Sequence, residues 1–432
     1  MISLKNEYKK YKELTLSLIS HKNLTVNTIS LFIIYGFNFL ISLLVLPHLI
    51  KSYGISKWGE VVFLQLVLNY LIWIIDWSFN QYSSKFVSIN SNKFKELKNV
   101  FRETWTAQFI LTILSIFISF FLLFFLGEET LFLPFCLILI GNFLQPYWFL
   151  NGLEKIYESA LLQLFHKVFF GSLTISFINN SSEIKTYFLY YSLSFFITGI
   201  FYQIRVSSKY KNLIGLISFW KGFRTIKKSS GLFISSILGS LINSSLPLLI
   251  GSFLGPGRLG MFNIADRIKG ISVQLSHPLS HSLYPRMTKE YYKSKTKGNK
   301  ILKYFLYLFL SITIVSFIFL NLYIKEVVSY FTNEDILKII SILRILLFSF
   351  VINVIEEIMV YQYMIPNGMY KEINKLRISI LTTIILTGVP FIYFFGIMGA
   401  AYSNLISESV GLIYVLTKYN RTKKHPYKKE SF

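Results

Sequence analysis

The stretch Gly255-Pro-Gly257-Arg-Leu-Gly260 has the Gly-x-Gly-x-x-Gly spacing of a dinucleotide-binding turn, and Asp266 follows it. That chemistry needs a strand running into the glycines, a helix running out, and an acid roughly 20 residues on. Here one apolar run, Gly231 to Phe253, precedes the glycines and another follows them. No strand feeds the turn, so the glycines and Pro256 supply a tight reversal between two close-packed helices. Neither His-Glu-x-x-His, Gly-x-Ser-x-Gly nor a P-loop occurs. His48 and His166 have no partner at metal-ligand spacing, and Cys136 is the lone cysteine, which excludes disulfides and thiolate metal sites within the chain. The motifs predict no catalytic residue, no metal and no cofactor.

The elements that carry these residues are set by hydropathy. Of 432 residues 53% are hydrophobic, 42 are Phe, and the mean hydropathy is +0.51. Apolar runs near 20 residues, the length that crosses a bilayer core of about 30 Å, recur along the chain. Twelve are expected, at 27–50, 58–80, 103–126, 131–152, 157–178, 184–206, 231–253, 260–284, 302–324, 336–361, 374–395 and 397–417. The fold class is an all-α polytopic membrane protein with about 12 transmembrane helices. The first run follows a polar tail and lacks a small-residue cleavage site, so it reads as a retained helix.

A formal charge of +23 raises the question of nucleic acid. Assigning Lys and Arg outside the run cores to alternate sides puts 34 with the two termini and the even-numbered connections, and five on the other side. Retention of basic loops in the cytoplasm gives this asymmetry and places both termini inside. The basic loops suit anionic lipid headgroups. They lack the interleaved aromatic platforms of a nucleic-acid surface, so no nucleic-acid partner is expected.

Two hairpins 200 residues apart read alike: Pro47-HLIKSY-Gly54-ISKW-Gly59 and Pro247-LLIGSFL-Gly255-PGRL-Gly260. Six helices separate the copies, so two parallel halves are expected, related by an axis along the membrane normal. The expected division is a six-helix lobe at 1–206, a basic cytoplasmic linker at 207–230 and a second lobe at 231–432. Each half carries a polar stripe. Gln65, Asn69, Asp76, Asn80 and Ser83 fall within about 60° on one helix, and Asn263, Arg267, Gly270, Gln274, His277 and His281 within about 80° on the other. The 201-residue shift that superposes Gly59 on Gly260 puts Asp76 over His277 and Asn80 over His281.

Charges at bilayer depth cost about 2.5 to 3.5 kcal/mol on insertion scales, so they usually face a bundle interior or aqueous cavity. Two such stripes predict a central cleft. Hydrogen-bonding glue between helices accounts for Gln65 and Asn69, whereas Asp76 and Arg267 carry the functional expectation. Lys338, Asn353, Glu356 and Glu357 share a face of about 100° on the tenth helix. Lys338 and Arg344 stand at the outer surface, where snorkelling accounts for them. Glu154, His48, His166 and Glu408 read as lone structural groups. No outer connection is long enough to house the sugar site of a polymerase.

With these features the chain resembles the bacterial O-antigen and capsule repeat-unit flippases. These form the polysaccharide branch of the multidrug/oligosaccharidyl-lipid/polysaccharide exporter superfamily. The likeness is carried by the first hairpin, by Gln145-Pro-Tyr-Trp148-Phe-Leu-Asn-Gly152-Leu-Glu154, by Leu259-Gly260-x-Phe262-Asn263-x-Ala265-Asp266-Arg267, and by Tyr284-Pro285-Arg286. Many relatives carry Asp-x-Gly at the end of helix two. Here Asp76-Trp77-Ser78 has serine in the third position, which weakens the case for a bend.

The resemblance implies a MATE-like pair of six-helix lobes and no enzymatic activity. It implies alternating-access transfer of an undecaprenyl-pyrophosphate-linked oligosaccharide to the outer leaflet of the bacterial inner membrane. Arg267, His277, His281 and Arg286 would contact phosphate or sugar, with Asn80 and Gln274 lining the path. Asp76 would hold a coupling cation or pair with Arg267. Membrane lipids, a polysaccharide polymerase and chain-length proteins are the implied partners. The alternatives are a cation-coupled drug exporter of the same superfamily and a membrane polymerase.

Overall fold

The structure, a computed structural model, describes residues 36–37, 41, 43–274, 283 and 287–424. All regular elements among them are helical. A chain in lipid must satisfy its backbone groups within each segment, which the helix does. The chain runs through α1 (43–53), α2 (55–76), α3 (Phe79–Ile89), α4 (Phe94–Leu126), α5 (Phe132–Phe143), α6 (Tyr147–Gly152), α7 (Ile156–Phe177) and α8 (Ile184–Lys209). It continues through α9 (Phe219–Leu254), α10 (Pro256–Gln274), α11 (Lys295–Leu322), α12 (Ile324–Phe331), α13 (Ile336–Met359), α14 (370–395) and α15 (397–424).

Eight helices among the described residues are long and apolar enough to span a membrane. Two of them, Leu43–Ile89 and Tyr370–Arg421, contain a left-handed glycine, Gly54 at φ 72° and Gly396 at φ 59°. At Gly54 the chain doubles back. Val45 meets α7 at Gly171, 3.0 Å from where its Cβ would stand. Gln65 hydrogen-bonds Tyr187 of α8, whose ring lies 5.3 Å from that of Phe170. Twenty residues of straight helix would hold those two contacts about 30 Å apart. The α10 helix falls outside the eight because its 19 residues include Arg258, Asp266, Arg267 and Lys269. The first expected run, 27–50, lies largely outside the described residues.

The bend at Ser78 is present without glycine: Trp77 and Ser78 take φ 37° and 59° between α2 and α3. The Trp77 indole N–H donates to the Ile226 carbonyl at 3.1 Å, and its ring stacks on Phe233 at 3.8 Å. Contacts with α9 thus hold a backbone conformation that serine alone disfavours.

The turns at Gly54, Gly127, Asn179, Gly255, Thr332 and Gly396 mark one end of the bundle, here the hairpin end. The connection 210–218 and Lys424 mark the linker end. One apolar core joins early and late helices through Ile50, Trp58, Leu68, Ile264, Leu343 and Ala400. A separate core, with Phe79, Phe101, Trp148, Phe149, Tyr202 and Leu213, belongs to α3 through α8 and their connection to α9. The expected basic linker is the last turns of α8, the loop 210–218 and the first turns of α9.

Candidate functional site

The seam between early and late helices is closed where α2 crosses α10. A Cβ on Gly59 would stand 1.8 Å from the Pro256 carbonyl oxygen, and one on Gly260 would stand 2.2 Å from the Ile55 carbonyl oxygen. The contact is reciprocal, since 55 and 59 are each 201 residues from 256 and 260. Backbones this close leave no room for a side chain, which only glycine allows. Around the crossing, the Trp58 indole N–H donates to Asn263 Oδ1 at 3.2 Å, and the Ile55 amide donates to Glu334 Oε2 at 3.2 Å.

One turn beyond Asn263, Arg267 is exposed on α10 and lies within electrostatic range of Lys167 on α7 and of Tyr187 and Tyr191 on α8. The Tyr187 hydroxyl also accepts from Gln65, which ties α2 to this group.

Further toward the linker end the seam opens into neighbouring cavities. Asp76, Asn80, Gln81 and Ser240 border one of about 190 Å³, walled by Trp73 and Phe233. Asn142 donates to Asp76 Oδ1 at 3.2 Å, and Asn151 to Asn80 Oδ1 at 3.3 Å. Gln81 and Ser240 also border a cavity of about 530 Å³ that reaches Asn353, Glu356 and Arg377. Asn353 and Glu408 border both that cavity and a third of about 300 Å³, which holds the Asp266–Lys269 ion pair, 2.8 Å long. Asn353 donates to Glu408 Oε2 at 3.0 Å, and Ser349 to Asn404 Oδ1 at 2.8 Å. Glu356 is only 8% exposed, and its Oε2 has no hydrogen-bond partner among the described residues. Amides, hydroxyls and carboxylates along this path can exchange hydrogen bonds with a polyol or its hydration water. Among the described residues no three His, Cys, Asp or Glu side chains gather closely enough to hold a metal ion.

The sequence-predicted residues divide accordingly. Asp76 and Asn80 line the seam, and Arg267 stands near its closed end. Asp76 is engaged by Asn142 and makes no ion pair with Arg267 in this arrangement. His277, His281 and Arg286 lie outside the described residues, as does the side chain of Gln274 at the end of α10. Of the groups read as lone and structural, His48 Nε2 donates to the Ile178 carbonyl at 3.0 Å, and His166 packs on Phe195. Glu408 is instead part of the late-helix wall. Lys338 pairs with Asp335 at 2.7 Å.

Sequence reading missed Lys167, Ser240 and Asn243. Lys167 had a visible signal, being an ammonium in the middle of an apolar run. Ser240 and Asn243 had none, because small polar residues are ordinary in membrane helices.

Residues 24–290 match the model of the polysaccharide biosynthesis protein family. A curated "Putative O-antigen transporter" of Escherichia coli strain K12 is 24% identical over 407 residues, spanning 88% of this chain and 93% of its own. Among solved structures, the lipid II flippase MurJ in an inward closed conformation has a TM-score of 0.74 at 16% identity, covering 92% of this chain and 87% of that one. An inward-facing multidrug resistance MATE family transporter of the MOP superfamily has a TM-score of 0.72 at 15% identity, covering 90% and 96%. Those two structures share the fold of this chain. With most of its length inside the family match, the chain belongs to the polysaccharide biosynthesis protein family.

Proposed function

We propose that the chain is a flippase that carries a lipid-linked oligosaccharide across the bacterial inner membrane by alternating access. Its two proposed lobes, 1–206 and 231–432, would rock so that the Gly59–Gly260 crossing parts as the linker end closes. The observation that carries the reading is the seam itself. Its polar cavities lie between membrane helices and continue toward the linker end, and Arg267 and Lys167 lie within electrostatic range of each other near the closed end.

With the basic linker in the cytoplasm, this arrangement is the one that loads from inside. The anionic phosphates would sit between Arg267 and Lys167, the sugars along Asn80, Ser240, Asn243 and Asn353, and the prenyl chain in lipid. An inside-negative potential favours outward movement of phosphate by about 2.3 kcal/mol per charge per 100 mV over the full field. No bond is made or broken in this scheme. The relatives named as an O-antigen transporter and a lipid II flippase support the substrate class.

In a strain lacking its own copy, Arg267→Ala and Lys167→Ala should each abolish surface polysaccharide while membrane levels on an immunoblot stay normal. Wild-type polysaccharide from both variants would remove the two cations from the mechanism. A second reading, cation-coupled export of small molecules, draws on the acid-lined cavity at Glu356 and Glu408. It calls for drug resistance conferred on a strain without polysaccharide genes.

A further inference from the structure

The α9 helix begins by running across α4 and the α2–α3 bend. Its first ring, Phe219, lies 6.4 Å from Phe109 of α4, and a Cβ on Gly222 would meet Thr106, Ala107 and Ile110. The Ile226 carbonyl accepts from Trp77, the Leu232 carbonyl accepts from Ser78 Oγ at 3.4 Å, and Phe233 stacks on Trp77. Trp77 and Phe109 share one depth. Ser115 Oγ donates to the Leu71 carbonyl at 3.3 Å and Ser83 bonds Thr104 at 2.9 Å, which registers position 77 opposite 109. Residues 219 to 233, about 20 Å of helix, therefore stay at one level. Only beyond them does α9 climb the seam, with Ser244 at Tyr70 (2.7 Å) and Gly251 at Phe63.

The in-plane segment is two-sided. Gly222, Thr225 and Ser229 are buried on the protein. Phe219, Trp220 and Phe223 are 54%, 76% and 52% exposed on one flank. Lys221, Arg224 and Lys228 are exposed on the other, about 130° round the helix, with Lys227 on the aromatic flank. None of the four cations makes an ion pair with a described residue. Aromatic and cationic flanks on a helix lying in the plane suit the acyl–headgroup boundary, where rings enter the apolar layer and cations meet phosphate. The occupant is the bilayer because the segment runs without a break into the membrane-crossing part of the same helix.

We propose that residues 219–232 form a docking surface for anionic phospholipid headgroups, held by Lys221, Arg224, Lys227 and Lys228 with Phe219, Trp220 and Phe223 seated in the acyl boundary. The assignment is independent of the transport reading. Its test uses the full chain in nanodiscs of mixed phosphatidylglycerol and phosphatidylcholine, with bromine on the acyl chains of one lipid at a time. The Trp220 signal is isolated as the difference between wild type and Trp220→Phe. Bromine on the anionic lipid should quench Trp220 about fivefold more than bromine on the neutral lipid, the worth of one well-placed cation. The preference should vanish in 1 M salt and in Lys221→Gln/Arg224→Gln/Lys227→Gln/Lys228→Gln, with Trp220 still quenched by both lipids. The salt titration needs no variant, so it stands if the fourfold variant fails to fold. Equal quenching by the two lipids at low salt would overturn the proposal. So would a Trp220 that no brominated lipid reaches, the result for a surface facing water or a protein.

Discussion

Ser78 shows how a local rule can be broken by its neighbours. A left-handed conformation costs a non-glycine residue about 1 to 2 kcal/mol, which here is offset by the Trp77–Ile226 hydrogen bond, the Trp77–Phe233 stack and the Ser78–Leu232 bond. Ser78→Gly removes the steric cost but adds backbone freedom to the unfolded chain, worth about 0.5 to 1 kcal/mol in the opposite sense. The variant should therefore melt within a few degrees of wild type and keep full activity. Trp77→Ala removes the contacts that hold the turn, and its melting temperature in detergent should fall by clearly more than that of Ser78→Gly. If Trp77→Ala melts like wild type, α9 is not what holds the bend. A 3.6-residue period put Asp76 and Asn80 on one face of their helices, and a cavity of the seam borders both. It did not identify Asn142 and Asn151 as their partners, since pairing across helices depends on depth and rotation that no single segment encodes.

At the scale of elements, the crossing of α2 and α10 turns on two atoms' worth of space. The 201-residue offset between the hairpins was legible as repeated Pro and Gly spacing. That the copies pack against each other was not, because a repeat in sequence is silent about contact. Gly59 and Gly260 occupy equivalent places in the crossing, so Gly59→Ala and Gly260→Ala should act alike. Each Cβ would meet a backbone oxygen at 1.8 or 2.2 Å, and overpacking of this kind costs about 1 to 3 kcal/mol. That cost falls on the arrangement closed at the hairpin end, shifting its population by roughly 5- to 150-fold. Gly257→Ala is the control, because its Cβ would find only Ser56 Oγ, 3.8 Å away. In a Cys136→Ser, Ser240→Cys background, a membrane-impermeant maleimide added from the hairpin side should label Cys at 240 faster in the two crossing variants than in Gly257→Ala. Equal labelling across the three would mean that the crossing does not set the closed state.

On the scale of the whole molecule, the helices are joined by one apolar core near the crossing, while the core of Phe101, Trp148 and Tyr202 stays with the early helices alone. A body joined at one end and divided by polar cavities toward the other can rock by parting the packing at the crossing, while the core of the early helices moves as a rigid unit. A tie across the hairpin end should then stop the cycle. Ser56 and Gly257 are neighbours across it, the Gly257 Cβ position lying 3.8 Å from Ser56 Oγ, a reach that a pair of cysteines can close. In a Cys136→Ser background, Ser56→Cys/Gly257→Cys should cross-link on mild oxidation. Transfer of a fluorescent lipid-linked oligosaccharide in proteoliposomes should then fall to the level of protein-free vesicles and recover on reduction, while each single variant transports throughout. Full transport by the cross-linked protein would show that the hairpin end need not part, and the rocking mechanism would fail with it.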